Sequence, residues 1–155
     1  MDGIMATFDE IVNELQDKIN QETIEAFGEE GFERWRNTPH RGKPPLANYQ
    51  GASTGSCGDT IQLFLYIEDD RVCDAGFLTD GCGSSMISGS MAAELALNKH
   101  CDELAAISGE AVLEGLGGPD CLPEDDQHCA WLAANALHEA LGDYYKQNIH
   151  KRISD

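Results

Sequence analysis

Residues 57–83 read CGDTIQLFLYIEDDRVCDAGFLTDGCG, and the fold follows from this stretch. Between Thr60 and Glu68 the side chains alternate, with Ile61, Leu63, Leu65 and Ile67 on one side and Gln62, Phe64, Tyr66 and Glu68 on the other. A period of two marks a β-strand with its aliphatic side on a core. Asp69-Asp70 supply a turn, and Arg71 to Asp80 read as the returning strand. Antiparallel strands bring the outer ends of the hairpin together, so Cys57 and Cys82, each beside a glycine, lie side by side. Asp59 is two residues beyond Cys57, and on an extended backbone the two side chains point the same way.

Downstream, Gly81-Cys82-Gly83-Ser84-Ser85 leads into a helix over about 85–99 whose early turns are small (Ser88, Gly89, Ser90, Ala92, Ala93), leaving room for another backbone or a ligand. Short helices are expected near 102–107 and 109–116. Gly117-Gly118-Pro119 then breaks the chain. Leu122-Pro123 and the acidic triplet Glu124-Asp125-Asp126 precede a last helix starting near Gln127, with Cys129, Ala133, Ala136, Leu137, Ala140, Leu141 and Tyr144 as its buried stripe. Upstream, Phe8, Ile11, Val12, Leu15 and Ile19 form an apolar stripe at helical spacing, with acids on the opposite face. A second helical segment, interrupted at Gly28 and Gly31, continues to about Trp35. Pro39, Pro44 and Pro45 impose an irregular connection to about Ser56. Arg34, Arg36, Arg41 and Lys43 gather basic charge there, a candidate docking patch.

The expected fold class is therefore α+β: a small antiparallel sheet of about three strands with helices on one face, plus an extra N-terminal helical segment. The chain has 155 residues, enough for one core. Its formal charge of −18 repels phosphate backbones, which argues against nucleic-acid binding. No apolar run reaches the roughly 20 residues that span a bilayer, and Met1-Asp2-Gly3-Ile4-Met5 lacks signal-peptide character. The expectation is a cytoplasmic protein without a membrane partner.

Six cysteines in a reducing compartment point to metal binding or catalysis rather than to disulfides. Cys82, at a strand-to-helix junction, and Cys129, on the first turn of the last helix, are both placed where backbone N–H groups favour a thiolate. His128 and Cys129 diverge by about 100° on a helix, poor geometry for a nucleophile–base pair, and this weakens a cysteine-hydrolase reading. Cys73, in mid-strand, and Cys101, in a helical region, read as small buried hydrophobes. Cys121 stays unassigned. Three thiols with one oxygen or nitrogen suit zinc, whereas a retained iron–sulfur cluster normally takes four cysteines. A carboxylate among soft ligands holds such a group loosely.

Cys57-Gly58-Asp59, Gly81-Cys82-Gly83-Ser84 with its small-residue helix, and Leu122-Pro123 followed by His128-Cys129 together resemble the IscU family, which also occurs as the N-terminal domain of NifU. The resemblance runs from about Phe27 to Tyr144. It implies an iron–sulfur cluster assembly scaffold, not an enzyme acting on an external substrate. Cys57, Cys82 and Cys129 would be the cluster-binding thiols, and Asp59 or His128 the fourth ligand. Cys129 would be the persulfide acceptor from a cysteine desulfurase of the IscS/NifS type, with apo iron–sulfur proteins as recipients. Both [2Fe–2S] and [4Fe–4S] clusters fit, zinc fits the cluster-free form, and a homodimer is left open. The alternative is a zinc-binding sulfur-transfer or interaction protein using the same thiols. The implied organisation is a helical extension over 1–26, a scaffold domain over 27–148 and a tail over 149–155. One departure stands out. Where the family carries Leu-Pro-Pro-Val-Lys before its His-Cys, this chain has Leu122-Pro123-Glu124-Asp125-Asp126, with the charge reversed.

Overall fold

A computed structural model describes residues 7–56 and 58–154, the side chains of 150–154 excepted. Three strands, β1 (Tyr49–Thr54), β2 (Thr60–Glu68) and β3 (Arg71–Thr79), form an antiparallel meander in the order β1-β2-β3. Asp69 and Asp70 both take positive φ, 54° and 62°. That is the backbone a two-residue hairpin loop needs to match strand twist, and aspartate tolerates it better than most residues. A register shift between Tyr66 and Ile67 carries the extra twist.

The helices are α1 (Phe8–Asn37), α2 (Gly83–Ala96), α3 (Cys101–Leu104), α4 (Gly109–Leu116) and α5 (His128–Ser154), with 3-10 turns at Pro119–Cys121 and Glu124–Asp126. Ile61, Leu63, Leu65 and Ile67 are buried as the alternation requires. α5 covers β1 and β2 and α2 covers β3. Gly51 makes the first of these contacts feasible, because a Cβ there would collide with the α5 backbone at Glu139 and Ala140. The other side of β2 is partly closed. Phe64 is buried, with the Lys43 ammonium 5.7 Å from its ring centroid. On the outer edge of β3, Phe77 donates its N–H to the His40 carbonyl and accepts from Gly42 N–H at 2.7 Å. The small face of α2 is filled by protein: the Phe77 ring lies directly against Gly89.

α1 opens with a capping box, in which Glu10 N–H donates to Thr7 Oγ1 and Thr7 N–H donates to Glu10 Oε2. It is kinked at Gly28 (φ 77°) and not at Gly31, which is buried against Phe27 inside the helix. Beyond the kink, Arg34 donates to Ser90 Oγ at 3.0 Å and pairs with Glu94 at 3.0 Å, fastening α1 to α2. That engagement removes Arg34 from the expected basic docking patch. The stripe Phe8, Ile11, Val12, Leu15 and Ile19 lies exposed, with Phe8 at 79% and Leu15 at 56%. No helix among the described residues is long and apolar enough to cross a membrane.

Candidate cluster-binding site

The hairpin ends and the start of α5 meet at one corner of the sheet. Thr60 N–H donates to Asp80 Oδ1 at 2.9 Å and Thr79 Oγ1 donates to the Thr60 carbonyl at 2.6 Å, locking the two strand ends together. Just before Asp59, Gly58 departs from extended backbone. Gly58 N–H donates to the Gly55 carbonyl, and Gly58 has φ 93°, a region glycine reaches without strain. Cys57, on which the expected common orientation with Asp59 rests, lies outside the described residues.

Asp59, Cys82 and Cys129 each offer one ligand atom, and the three atoms lie within 4.8 Å of one another. Asp59 is half-buried, Cys82 is exposed as the N-cap of α2, and Cys129 is buried. At their centre is Ser85, whose hydroxyl donates to Asp59 Oδ2 at 3.1 Å and sits 3.5 Å from Cys129 Sγ. Gly81 permits this approach, since a Cβ on it would stand 2.6 Å from Ser85 Oγ and 2.8 Å from Asp59 Cγ. Sequence reasoning passed over Ser85. Its only signal was a second serine following Gly-Cys-Gly, read as one more small residue.

Burial pushes the Cys129 thiol up to about 11; the Ser85 hydrogen bond pulls it down, and the negative charge of Cys82, Asp126 and Asp59 adds to the rise. The help expected from the helix start is outweighed, because desolvation penalises the charged form throughout the buried volume. His128, at the first position of α5, is exposed and turns back over its neighbour. Its Nδ1 lies 3.0 Å from the Asp125 carbonyl, which can only accept, so Nδ1 carries the proton. That leaves Nε2, 3.8 Å from Cys129 Sγ, as an acceptor toward the thiol. The pairing that a regular helix disfavours is thus available at a helix terminus, where the Asp125 carbonyl of the preceding 3-10 turn orients the ring.

Asp126, in the acidic triplet, accepts from Ser84 Oγ at 3.0 Å and holds the loop before α5 against the start of α2. Of the remaining cysteines, Cys101 is buried, as expected. Cys73 is exposed on β3, contrary to expectation, with its thiol 3.6 Å from the Arg71 carbonyl. Cys121 is half-buried beside Gly117, away from the three-residue group.

Two sulfurs and a carboxylate oxygen so close together form a donor set for a thiophilic metal or an iron–sulfur unit, with one or more positions left open. The comparisons with known proteins agree in fold and kind. The chain is 35% identical over 123 residues to the iron–sulfur cluster assembly scaffold protein IscU 1 of Archaeoglobus fulgidus, covering 79% of this chain and 78% of that one. It is 32% identical to the nitrogen fixation protein NifU of Azotobacter chroococcum, covering 79% of this chain and 40% of that longer protein. The N-terminal structure of a NifU-like protein from Brucella abortus superposes with a TM-score of 0.59 at 18% identity, over 76% of this chain and 93% of the other, a likeness of fold. A family model for the NifU-like N-terminal domain matches residues 26–151. With most of its length inside that match, the chain belongs to the NifU-like N-terminal domain family.

Proposed function

We propose that this protein is a scaffold on which iron–sulfur clusters are assembled and from which they pass to apo-proteins, not an enzyme with its own small-molecule substrate. The observation that carries the reading is the convergence of the Asp59, Cys82 and Cys129 donor atoms within 4.8 Å at the edge of the molecule. The cluster is cargo. Cys82 and Cys129 hold it through sulfur, joined by Cys57, two residues before Asp59 in the chain. Asp59 or His128 completes the set. An oxygen ligand among thiolates binds iron–sulfur units less firmly than a fourth cysteine, and the exposure of Cys82 lets an acceptor's thiols reach in.

Sulfur arrives from a cysteine desulfurase as a persulfide. His128 Nε2 takes the Cys129 proton. The Cys129 thiolate then attacks the outer sulfur of the donor's persulfide; a Cys129 S–S bond forms as the donor's S–S bond breaks, and the donor cysteine leaves as thiolate. A dithiol reductant supplies the two electrons that release this sulfur as sulfide, being itself oxidised to a disulfide. The Ser85 hydroxyl stabilises the Cys129 thiolate by rotating from Asp59 to donate to sulfur. In the cluster-free form, zinc occupies the same donors.

The test is anaerobic reconstitution of the full chain with ferrous iron, cysteine, a dithiol and a cysteine desulfurase. Sulfur-to-iron charge-transfer absorption should develop in the visible and move to an apo-ferredoxin on mixing. Colourless protein after iron and sulfide are both supplied would sink the reading.

A further inference from the structure

Among the described residues, the apolar stripe of α1 has no partner within the fold. No described residue before Phe27 is buried, and Phe8 to Ala26 projects as an arm of about 28 Å at the usual helical rise that meets the core through Ala26 at its root. Leu15, Ile19 and Ile11 are 56%, 47% and 45% exposed, and Asp9, Glu10, Glu14, Asp17, Glu22 and Glu25 surround them with Lys18 as the one cation. Exposed contiguous apolar surface rimmed by polar groups marks an interaction site.

The root of the arm is at the thiol pocket. The rings of Phe27 and Trp35 lie 3.3–3.4 Å from where a Cβ on Gly83 would stand, one residue from Cys82. Between the arm and the loop leading to His128 runs a cleft lined by Glu22, Glu25, Asp120 and Glu124 over Leu122 and Pro123, with no lysine or arginine among the described residues of its wall. The charge selects the occupant. Two copies of this acidic arm repel each other, in a chain of net charge −18, and an anionic membrane is repelled likewise. A surface that buries the stripe must bring apolar side chains framed by lysine and arginine.

We infer that the arm, Phe8 to Ala26, and the acidic cleft at its root form the docking surface for the protein that delivers sulfur to Cys129, which meets them with an apolar groove rimmed by basic residues. The inference rests on the scaffold reading above. A partner seated on the arm and in the cleft borders the thiols, because Phe27, the next residue after the arm, packs at Gly83 beside Cys82. The sulfur donor gains more from such a dock than a cluster acceptor, since it must return for every sulfur while an assembled cluster leaves once. The family model's match begins at residue 26, so nearly all of the arm lies outside it.

The test measures binding of the full chain to the cysteine desulfurase of the same organism, at low and high salt. Leu15→Asp with Ile19→Asp should raise Kd roughly tenfold or more, as losing a central apolar anchor does. Glu22→Lys with Glu25→Lys should raise it several-fold and flatten the salt dependence. Ile149→Asp, equally exposed on α5, should leave it unchanged. Desulfurase-fed assembly should slow in the two arm variants, while assembly from inorganic sulfide keeps the parent rate. Leu15→Ala with Ile19→Ala, which preserves helix propensity, covers the case in which aspartate unwinds the arm. An unchanged Kd in all arm variants overturns the inference and leaves the scaffold reading intact. So does a parent dimer that Leu15→Asp with Ile19→Asp dissociates, or binding of the parent to phosphatidylserine vesicles. A parent that builds nothing from sulfide strikes the scaffold reading itself, and the inference with it.

Discussion

Ser85 Oγ bridges Asp59 and Cys129, 3.1 Å from the carboxylate oxygen and 3.5 Å from the sulfur, so one hydroxyl sets the spacing of a hard and a soft ligand. It is fully buried on α2, and its rotation decides which of the two groups accepts its hydrogen bond.

Ser85→Ala should therefore weaken metal binding more than it weakens the fold. The Cys129 thiol loses the one contact that lowers its pKa, and Asp59 loses its anchor. Competitive titration of the apo-protein with cobalt under anaerobic conditions should give an affinity about tenfold lower, with thermal stability within about 1 kcal/mol of the parent. Equal cobalt affinity would remove Ser85 from the site.

Gly81→Ala should do similar damage by a different route. The added methyl meets Ser85 and Asp59 together, and one must move. Overpacking of this kind costs about 1–3 kcal/mol. The expected signature is lost cobalt binding in a protein whose far-ultraviolet circular dichroism is that of the parent.

Asp59→Ala should hold a reconstituted cluster longer than the parent. The variant lacks the exchangeable oxygen ligand through which the centre opens. The decay of visible absorption on exposure to a chelator measures this. Equal or faster decay rejects the role given to Asp59.

Cys82→Ser should abolish stable cluster assembly, whereas Cys73→Ser should not. Both thiols are exposed, so neither change alters stability by more than about 0.5 kcal/mol, and the comparison isolates chemistry. Matched cluster yields would refute the assignment.

Stability of the apo-protein should decline between pH 9 and 11. Burial raises the Cys101 thiol from 9.0 to about 11, with the charges of Asp70 and Asp102 adding to it, and Cys129 rises to a similar value. Both protons are held more tightly folded than unfolded. The contribution is complete below the unfolded pKa near 9 and is lost as pH climbs through the folded value near 11. Denaturant titrations across this window should show a loss on the order of 2 kcal/mol for each thiol. Cys101→Ala should remove its share of the pH slope, and an unaltered slope would contradict the assignment.

Much of the architecture was legible in short-range pattern. Ile61, Leu63, Leu65 and Ile67 alternate strictly, Asp69-Asp70 suits a tight hairpin loop, and the glycines beside Cys82 mark a junction, so the sheet and the position of that thiol followed directly. Cys73 was misplaced because the register shift at Tyr66/Ile67 changes which residues of the returning strand face the core. The stripe on α1 was visible at helical spacing, yet amphipathicity alone does not say what lies opposite it.

The amino-acid sequence by itself determined the hairpin, the order of the helices and the thiol-bearing segments, because alternation, turn residues and breakers act over a few neighbours. Only the tertiary structure decided that Asp59, Cys82 and Cys129 share one pocket, that Ser85 stands between two of them, and that Cys129 is held as a thiol. Desolvation and hydrogen bonding there come from segments twenty to seventy residues apart in the chain, and no local pattern encodes how closely they pack.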